Sequence, residues 1–496
     1  MTPPGHPSTW RSSSVGLPIP NYVDGRWVPA SAGESLPINN PATGELLGRV
    51  PLSTPADVSA AVAAASRAFP AWRDVPAVER IQVLFGLKAG LEQHLGELAE
   101  TMTREHGKTK EESVGELKRG IESLTHACAI PTLMMGEALE NIAPGIDCET
   151  IRQPLGVFAV VTPYNFPVMI PLWFWPLAVA TGNTVVLKPS ERDPMTHQLV
   201  VDLATQAGLP PGVLNVVHGD QSAVQALLQH PDVKGVSFVG SSQVARGLYA
   251  AAAASGKRVQ ALGGAKNHIV VLPDADYDAT AKAVVASVYG ATGQRCLAGS
   301  VIVGVGEAFR PMRERILDGA GSLRLGYGLE PGVDMGPVIS HSHRERVASY
   351  VSQGEREGAK LVLDGRQAKL AKYPAGHWFG PTVFEDVRPD MAIGREEIFG
   401  PVAGITRAAS LDDAIELVHR NPYGNAISLF TTSGAAAREF RYRAGISMIG
   451  VNIGVVAPMA FFPFGGSRGS FYGDLKAQGK DAIEFYTDKR VVISRW

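Results

Sequence analysis

What this chain lacks narrows its chemistry first. Its three cysteines, Cys128, Cys148 and Cys296, cannot build a disulfide framework, and no CxxC pair suggests structural zinc. A reducing, cytoplasmic setting is the expectation. Charge of one sign is lacking as well: 46 Lys and Arg face 48 Asp and Glu, a formal net charge of −2, which excludes a strong footprint for nucleic acid or an anionic membrane. Long apolar runs are missing. The most apolar stretch, Pro167 to Ala180, carries three prolines and is too short to span a bilayer. Met1 to Pro20 has no apolar core, so it reads as a flexible arm and not as a secretory signal.

One gap is local. From Val259 to Pro273 the chain reads Val-Gln-Ala-Leu-Gly-Gly-Ala-Lys-Asn-His-Ile-Val-Val-Leu-Pro, with no carboxylate. Downstream stands Cys296, in Gly293-Gln294-Arg295-Cys296. A thiolate adds to a carbonyl carbon, the adduct can expel hydride, and the product is a thioester. With no carboxylate in that Gly-Gly segment, the segment itself offers no base to activate water for release of such a thioester. Arg295 beside the sulfur would favour the thiolate by its charge. Alone, a cysteine among small residues is as readily an inert packed side chain.

At 496 residues the chain calls for two or three domains. Tyr22 to Val50 alternates short apolar runs with turn signals and predicts strands and hairpins. Thr54-Pro55-Ala56-Asp57 opens a helix. Ile81, Leu84, Leu87, Leu91, Leu95, Leu98 and Met102 predict one long helix ending near Gly107-Lys108, and Glu111 to Ala129 a third. Val157–Val161, Thr184–Leu187, Leu214–Val217 and Val236–Val239 are nearly all-apolar, as parallel strands buried on both faces are. A second series follows at Ile269–Leu272, Val301–Val303, Ile427–Phe430 and Ser447–Asn452. Two α/β units therefore divide near Leu262-Gly263. Val491-Val492-Ile493-Ser494 and Ala143 to Gln153 read as strands that extend other sheets.

Loops at the carboxyl ends of parallel strands are where such sheets place ligands. Thr162-Pro163-Tyr164-Asn165-Phe166-Pro167 follows the first strand, and the Asn165 amide can donate to a developing oxyanion; a proline-braced turn is the plainer reading. Lys188-Pro189-Ser190-Glu191-Arg192 ends the second strand, where lysine and glutamate can bond ribose hydroxyls and the carboxylate disfavours a 2′-phosphate; a solvated polar turn is the alternative. Gly240-Ser241-Ser242 leads into a helix whose N-terminus can receive a pyrophosphate, or is simply a tight turn. His106, His126 and His268 show no metal-ligand spacing, and no metal is expected.

In this order, six segments together resemble the NAD-dependent aldehyde dehydrogenase superfamily from about Asn21 to Tyr486: Asn40-Pro41-Ala42-Thr43-Gly44, Pro163 to Pro167, Lys188-Pro189-Ser190-Glu191, Phe238-Val239-Gly240-Ser241, Gly293 to Cys296, and Glu397-Ile398-Phe399-Gly400-Pro401-Val402. Gly263-Gly264-Ala265-Lys266-Asn267-His268, Ile170-Pro171-Leu172-Trp173, Phe464-Gly465-Gly466-Ser467-Arg468 and Ala129 to Glu137 look like the CoA-acylating methylmalonate-semialdehyde dehydrogenases. Most of the superfamily keeps a water-activating glutamate just ahead of the Gly-Gly pair; Ala261 or Leu262 takes its place here, so CoA should release the acyl group.

The resemblance implies an aldehyde dehydrogenase-like α/β fold. It comprises a Rossmann-like NAD-binding domain (21–130 and 151–262), a catalytic α/β domain (263–452) and a small β oligomerisation arm (131–150 and 471–496), after the flexible arm of residues 1–20. It implies Cys296 as nucleophile and Asn165 as oxyanion donor. Thr162, Tyr164, Lys188, Glu191, Arg192, Ser241, Gly263 and Glu397 would line the NAD site, and Arg119 and Arg295 would hold a substrate carboxylate. Gly465 and Gly469, expected near the aldehyde channel, stand where relatives carry bulkier residues. The implied reaction is oxidation of methylmalonate or malonate semialdehyde, loss of CO2 and transfer to CoA, giving propionyl-CoA or acetyl-CoA, in a homo-oligomer (dimer or tetramer). A hydrolytic dehydrogenase recruiting Glu397 is the runner-up. A non-catalytic protein on this scaffold and a Cys296–His268 thiol hydrolase are the readings from other classes.

Overall fold

Thr54 starts the first helix as its chemistry dictates. Its hydroxyl accepts from the Asp57 N–H, the Asp57 carboxylate accepts from the Thr54 N–H, and Pro55 occupies the first turn of Pro55–Asp74. The computed structural model describes residues 18–31 and 33–496. Most of the N-terminal arm thus lies outside the described residues, but Pro18–Pro20 docks, with the Ile19 N–H donating to the Arg49 carbonyl at 2.7 Å.

The single long helix expected over 81–106 is two. Ala77–Gln93 ends at His94 (φ −100°, ψ 16°), and Leu95–His106 follows at once. The apolar spacing runs unbroken through the join, so periodicity does not reveal it. Gly107, at φ 95°, caps the second piece as expected. The next helix is Lys110–Ala127, with a Thr109–Glu112 capping box.

Two sheets carry the fold. In the first, strands run in the spatial order 471–472, 258–262, 233–239, 157–161, 184–188, 214–216, 21–23, 26–28, parallel through the middle five and antiparallel at both edges. In the second the order is 360–363, 382–385, 402–408, 299–305, 267–271, 426–430, 448–451, parallel except for the 360–363 edge. All the buried runs singled out above are strands. Arg258–Leu262 and Thr382–Glu385 are strands that the apolar runs do not announce; in the first, Gln260 interrupts the run yet is buried. The proline-bearing helix Met169–Ala180 is buried at every residue, and each such Leu or Phe contributes about 1.5–3 kcal/mol. Among the described residues no helix is long and apolar enough to cross a membrane.

The tail strand Thr487–Arg495 pairs antiparallel with Ile146–Pro154, which pairs with Ala138–Ala143, forming a separate three-stranded sheet. Arg258 pins its root by donating to the Glu484, Phe485 and Thr487 carbonyls at 2.8–2.9 Å. Phe471–Tyr472, assigned with the arm by sequence, instead pairs with Ala261 and Leu262 at the edge of the first sheet.

Candidate active site

The loop after strand 157–161 is held from both ends. The Asn165 amide donates to the Gln294 carbonyl at 2.9 Å, and the Asn165 carbonyl accepts from Lys108 Nζ at 2.7 Å. Lys108 and Glu116 form a wholly buried ion pair at 2.6 Å. The other oxygen of Glu116 accepts from the Val168 and Met169 N–H groups. An amide nitrogen has two hydrogens. With one given to Gln294, Asn165 has one more to donate.

Ahead of Cys296, Ala291, Thr292 and Gly293 are all left-handed, at φ 47°, 56° and 71°. For the two non-glycine residues this costs on the order of 1–3 kcal/mol each. Glu112 accepts the Ala291 N–H at 2.6 Å, and Thr292 donates to the Gly336 carbonyl at 2.9 Å. At Gly293 a side chain would run into the Gly400 carbonyl. The Cys296 carbonyl accepts from Asn267 Nδ2 and Asn425 Nδ2, both at 2.9 Å, and Asn267 also donates to Ala298 and accepts from Ala426.

Burial, then the nearby Glu397 charge, pushes the Cys296 thiol up to about 12. Arg295 does favour the thiolate by its charge, as expected, but its guanidinium pairs with Glu112 at 3.0 Å and its pull is outweighed by burial and the Glu397 charge. His268 makes no dyad with the sulfur. Its Nδ1 bonds the Lys266 carbonyl at 3.0 Å, and burial takes its pKa down to about 4.

At the place of a water-activating glutamate stand Ala261 and Leu262, buried in strand 258–262. The carboxylate whose charge weighs on Cys296 after burial is Glu397. It accepts from the Ala265 N–H at 2.9 Å, in space that a side chain at Gly264 would fill. Burial raises its pKa to about 7, against the opposing pull of that N–H, Arg346 and Lys266. Helix His341–Arg356 fixes its backbone: Arg346 donates to the Glu397 and Ile398 carbonyls, and the His343 ring bonds that of Phe399, at 2.7–2.9 Å.

On the other side, Lys188 and Glu191 pair at 2.9 Å at the sheet edge. Ser241 caps helix Ser242–Ala254. Gly263 lies against Ser242 and Gly469, and Thr162 Oγ1 and Tyr164 OH are buried without a partner among the described residues. Arg192 is already engaged, with Nη1 on Ser340 at 2.7 Å and its guanidinium 5.4 Å over the Tyr164 ring.

A cavity of about 450 Å³ brings Cys296, Arg295 and Arg119 together with Phe166, Trp173 and Phe464. Arg119 bonds Glu122 and the Pro458 carbonyl. Gly465 and Gly469 do not line this cavity; Gly465 packs on the Lys476 stem and Gly469 against Pro422 and Tyr423.

Sequence reasoning did not single out Lys108, Glu112, Glu116, Asn267 or Asn425. Asn267 sat inside a quoted segment, and Glu112 is visible as half of a capping box. The other three carry no local signal of their role, because the backbone groups they hold, at Asn165, Val168, Met169 and Cys296, lie far away in the chain.

Comparison with known proteins agrees with this geometry. The sequence profile described as "Aldehyde dehydrogenase family" matches residues 27–492. A malonate-semialdehyde dehydrogenase of Geobacillus kaustophilus is 50% identical over 478 residues, covering 96% of this chain and 98% of that protein. The crystal structure of a methylmalonate-semialdehyde dehydrogenase from Oceanimonas doudoroffii superposes with a TM-score of 0.95 at 44% identity, over 97% of this chain and 98% of that one. The NAD complex of a Sinorhizobium meliloti protein assigned as a methylmalonate-semialdehyde dehydrogenase gives a TM-score of 0.96 at 43% identity, over 98% and 99%. With the family profile matched over residues 27–492 and relatives near 50% identity along almost the whole chain, the chain belongs to the aldehyde dehydrogenase family.

Proposed function

We propose that this protein is an NAD-dependent, CoA-acylating dehydrogenase of malonate or methylmalonate semialdehyde. The observation that carries the reading is the pairing of Cys296 with two arginines in one cavity, while apolar Ala261 and Leu262 occupy the position of a water-activating base. The two relatives named above with the highest identities, whose own substrates are such semialdehydes, support it.

The residues present suit NAD. Lys188 and Glu191 would take the adenosine ribose, Ser241 and the helix it caps the pyrophosphate, Gly263 a close approach, and Glu397 the nicotinamide ribose, beside Thr162 and Tyr164 with Arg192 stacked above. When bound, NAD supplies the hydride acceptor. The chain does the rest. Arg119 and Arg295 orient the substrate carboxylate. Cys296 adds to the carbonyl carbon, and the second Asn165 hydrogen meets the oxyanion, alongside a backbone N–H. After oxidation, the malonyl-type thioester on Cys296 loses CO2, its electrons draining into the thioester enolate. A proton on the α-carbon completes the acyl group, and CoA thiolate displaces it as acetyl-CoA or propionyl-CoA.

Glu397 favours a second reading, hydrolysis, because its pKa near 7 and its influence on the thiol are those of a nearby general base. Its tether to Ala265 holds it on the Gly-Gly turn instead. Following NADH and acyl products with and without CoA separates the two. The CoA-acylating reading expects one rapid turnover and then a rate lower by about 10²–10⁴-fold when CoA is omitted. Free acid formed at full rate without CoA selects hydrolysis.

The protein acts as a homo-oligomer, a dimer or tetramer. Leu139, Val491 and Ile493 are exposed on the small sheet, where Leu139 and Ile493 both lie opposite Cys148. The unpaired Cys128, Cys148 and Cys296 suit a cytoplasmic location.

A further inference from the structure

Gly290 follows the last residue of helix Tyr277–Tyr289. Glycines at helix ends are ordinarily there for a left-handed turn, as Gly107 is at φ 95°. Gly290 is different: at φ −57° and ψ 138° its backbone is open to any residue. What it lacks is room. A Cβ there would lie inside the Arg295 guanidinium, 2.5 Å from Cζ and 2.7 Å from Nη2. The bare face of residue 290 is thus the floor on which that guanidinium rests. Glu112 sets its other coordinate, since one carboxylate oxygen takes both Arg295 Nη2 at 3.0 Å and the Ala291 N–H at 2.6 Å. Arg295 lines the cavity that holds Cys296, and its side chain is about a fifth exposed.

We propose that Gly290 is a specificity-determining position: its missing side chain seats the Arg295 guanidinium where it meets the carboxylate of an acidic aldehyde. The inference rests on the reading of Arg295 as a carboxylate anchor given under Proposed function. Arg295 is a long, flexible chain, so a methyl at 290 displaces the guanidinium without breaking backbone contacts. Gly290 acts through Arg295 and touches neither substrate nor sulfur.

The test is a double-mutant cycle of Gly290→Ala and Arg295→Ala, scored as the ratio of kcat/KM for malonate semialdehyde to that for propanal, in the presence of NAD and CoA. The ratio cancels any loss of active enzyme. Gly290→Ala should lower it roughly 10- to 100-fold, the range for a hydrogen bond to a charged group. In the Arg295→Ala background the same substitution should leave the ratio where Arg295→Ala alone puts it. An unchanged ratio in Gly290→Ala, or an equal fall in both backgrounds, overturns the proposal. If Gly290→Ala alone does not fold, recovery of folded protein on adding Arg295→Ala supports the seat and no recovery overturns it. A parent enzyme showing no preference for the acidic aldehyde would instead sink the underlying functional reading, an outcome visible before any variant is made.

Discussion

Lys108 Nζ lies 2.7 Å from the backbone carbonyl of Asn165, and the ammonium is buried with Glu116 as its counter-ion. The amide expected to meet the oxyanion is therefore carried on a loop anchored by a cation from the connection between helices Leu95–His106 and Lys110–Ala127. Lys108 acts on the reaction through the Asn165 backbone and Glu116 through Lys108 and the Val168 and Met169 N–H groups, so both are positioning residues.

Replacing the pair by neutral groups, Lys108→Met with Glu116→Gln, should lower kcat roughly 10- to 100-fold, toward the loss expected for a misplaced oxyanion donor, with little change in KM. Lys108→Met alone strands a buried carboxylate, which costs about 3–5 kcal/mol of stability. Steady-state kinetics and thermal melts of both variants check this. A double variant with unaltered kcat shows that the loop holds its shape without the ion pair.

The Cys296 thiol, pushed up to about 12 by burial and the Glu397 charge, should be sluggish toward iodoacetamide in the absence of cofactor. Its alkylation rate, read on the Cys296 peptide by mass spectrometry, should keep climbing about tenfold per pH unit from pH 8 to 10. An ordinary thiol near 8.5 levels off in that range. A plateau by pH 9 would contradict a thiol whose pKa burial has raised.

Glu397 makes stability depend on pH with a definite sign. Its folded value of about 7 exceeds the ordinary carboxylate value of 4.5, so the folded protein retains a proton that the unfolded chain gives up. No penalty exists below pH 4.5. It grows between 4.5 and 7 and is complete above 7. Glu397→Gln should therefore raise the melting temperature more at pH 8 than at pH 5, with Lys266 and Arg346 facing the site in both proteins. Equal shifts at the two pH values would refute a raised carboxylate.

The small sheet should govern assembly. Val491→Asp with Ile493→Asp places charges on its exposed face without removing a backbone hydrogen bond, because strand pairing uses only main-chain groups. Light scattering after gel filtration should show a smaller species than the parent. An unaltered mass would mean that subunits meet elsewhere.

Much of this protein was legible in its residues because the signals are local. The apolar runs at Val157–Val161 and Thr184–Leu187 are strands, and Thr54 and Asp57 cap a helix, each from side chains adjacent in the chain. The order of six short motifs pointed to the family, and the carboxylate-free stretch before Lys266 pointed to the missing base. Where reading failed, the cause was contact between distant residues. Arg295 adjoins Cys296 in sequence and favours its thiolate as expected, yet how little it achieves depends on burial and on Glu112, on a helix 183 positions earlier, which engages its charge. His94 breaks a helix whose apolar face continues unbroken, and Phe471–Tyr472 joins a sheet whose other strands lie far upstream.

The sequence by itself therefore determined which chemical groups are available and which are absent: one candidate nucleophile, no base ahead of the Gly-Gly turn, two arginines. Only the tertiary structure decided what state those groups are in. Burial raised the Cys296 thiol and Glu397, Lys108 and Glu116 neutralised one another out of water, and Gly290 cleared the space in which Arg295 lies. Solvation, counter-ions and free volume are properties of neighbours in space, and a linear chain does not contain them until it folds.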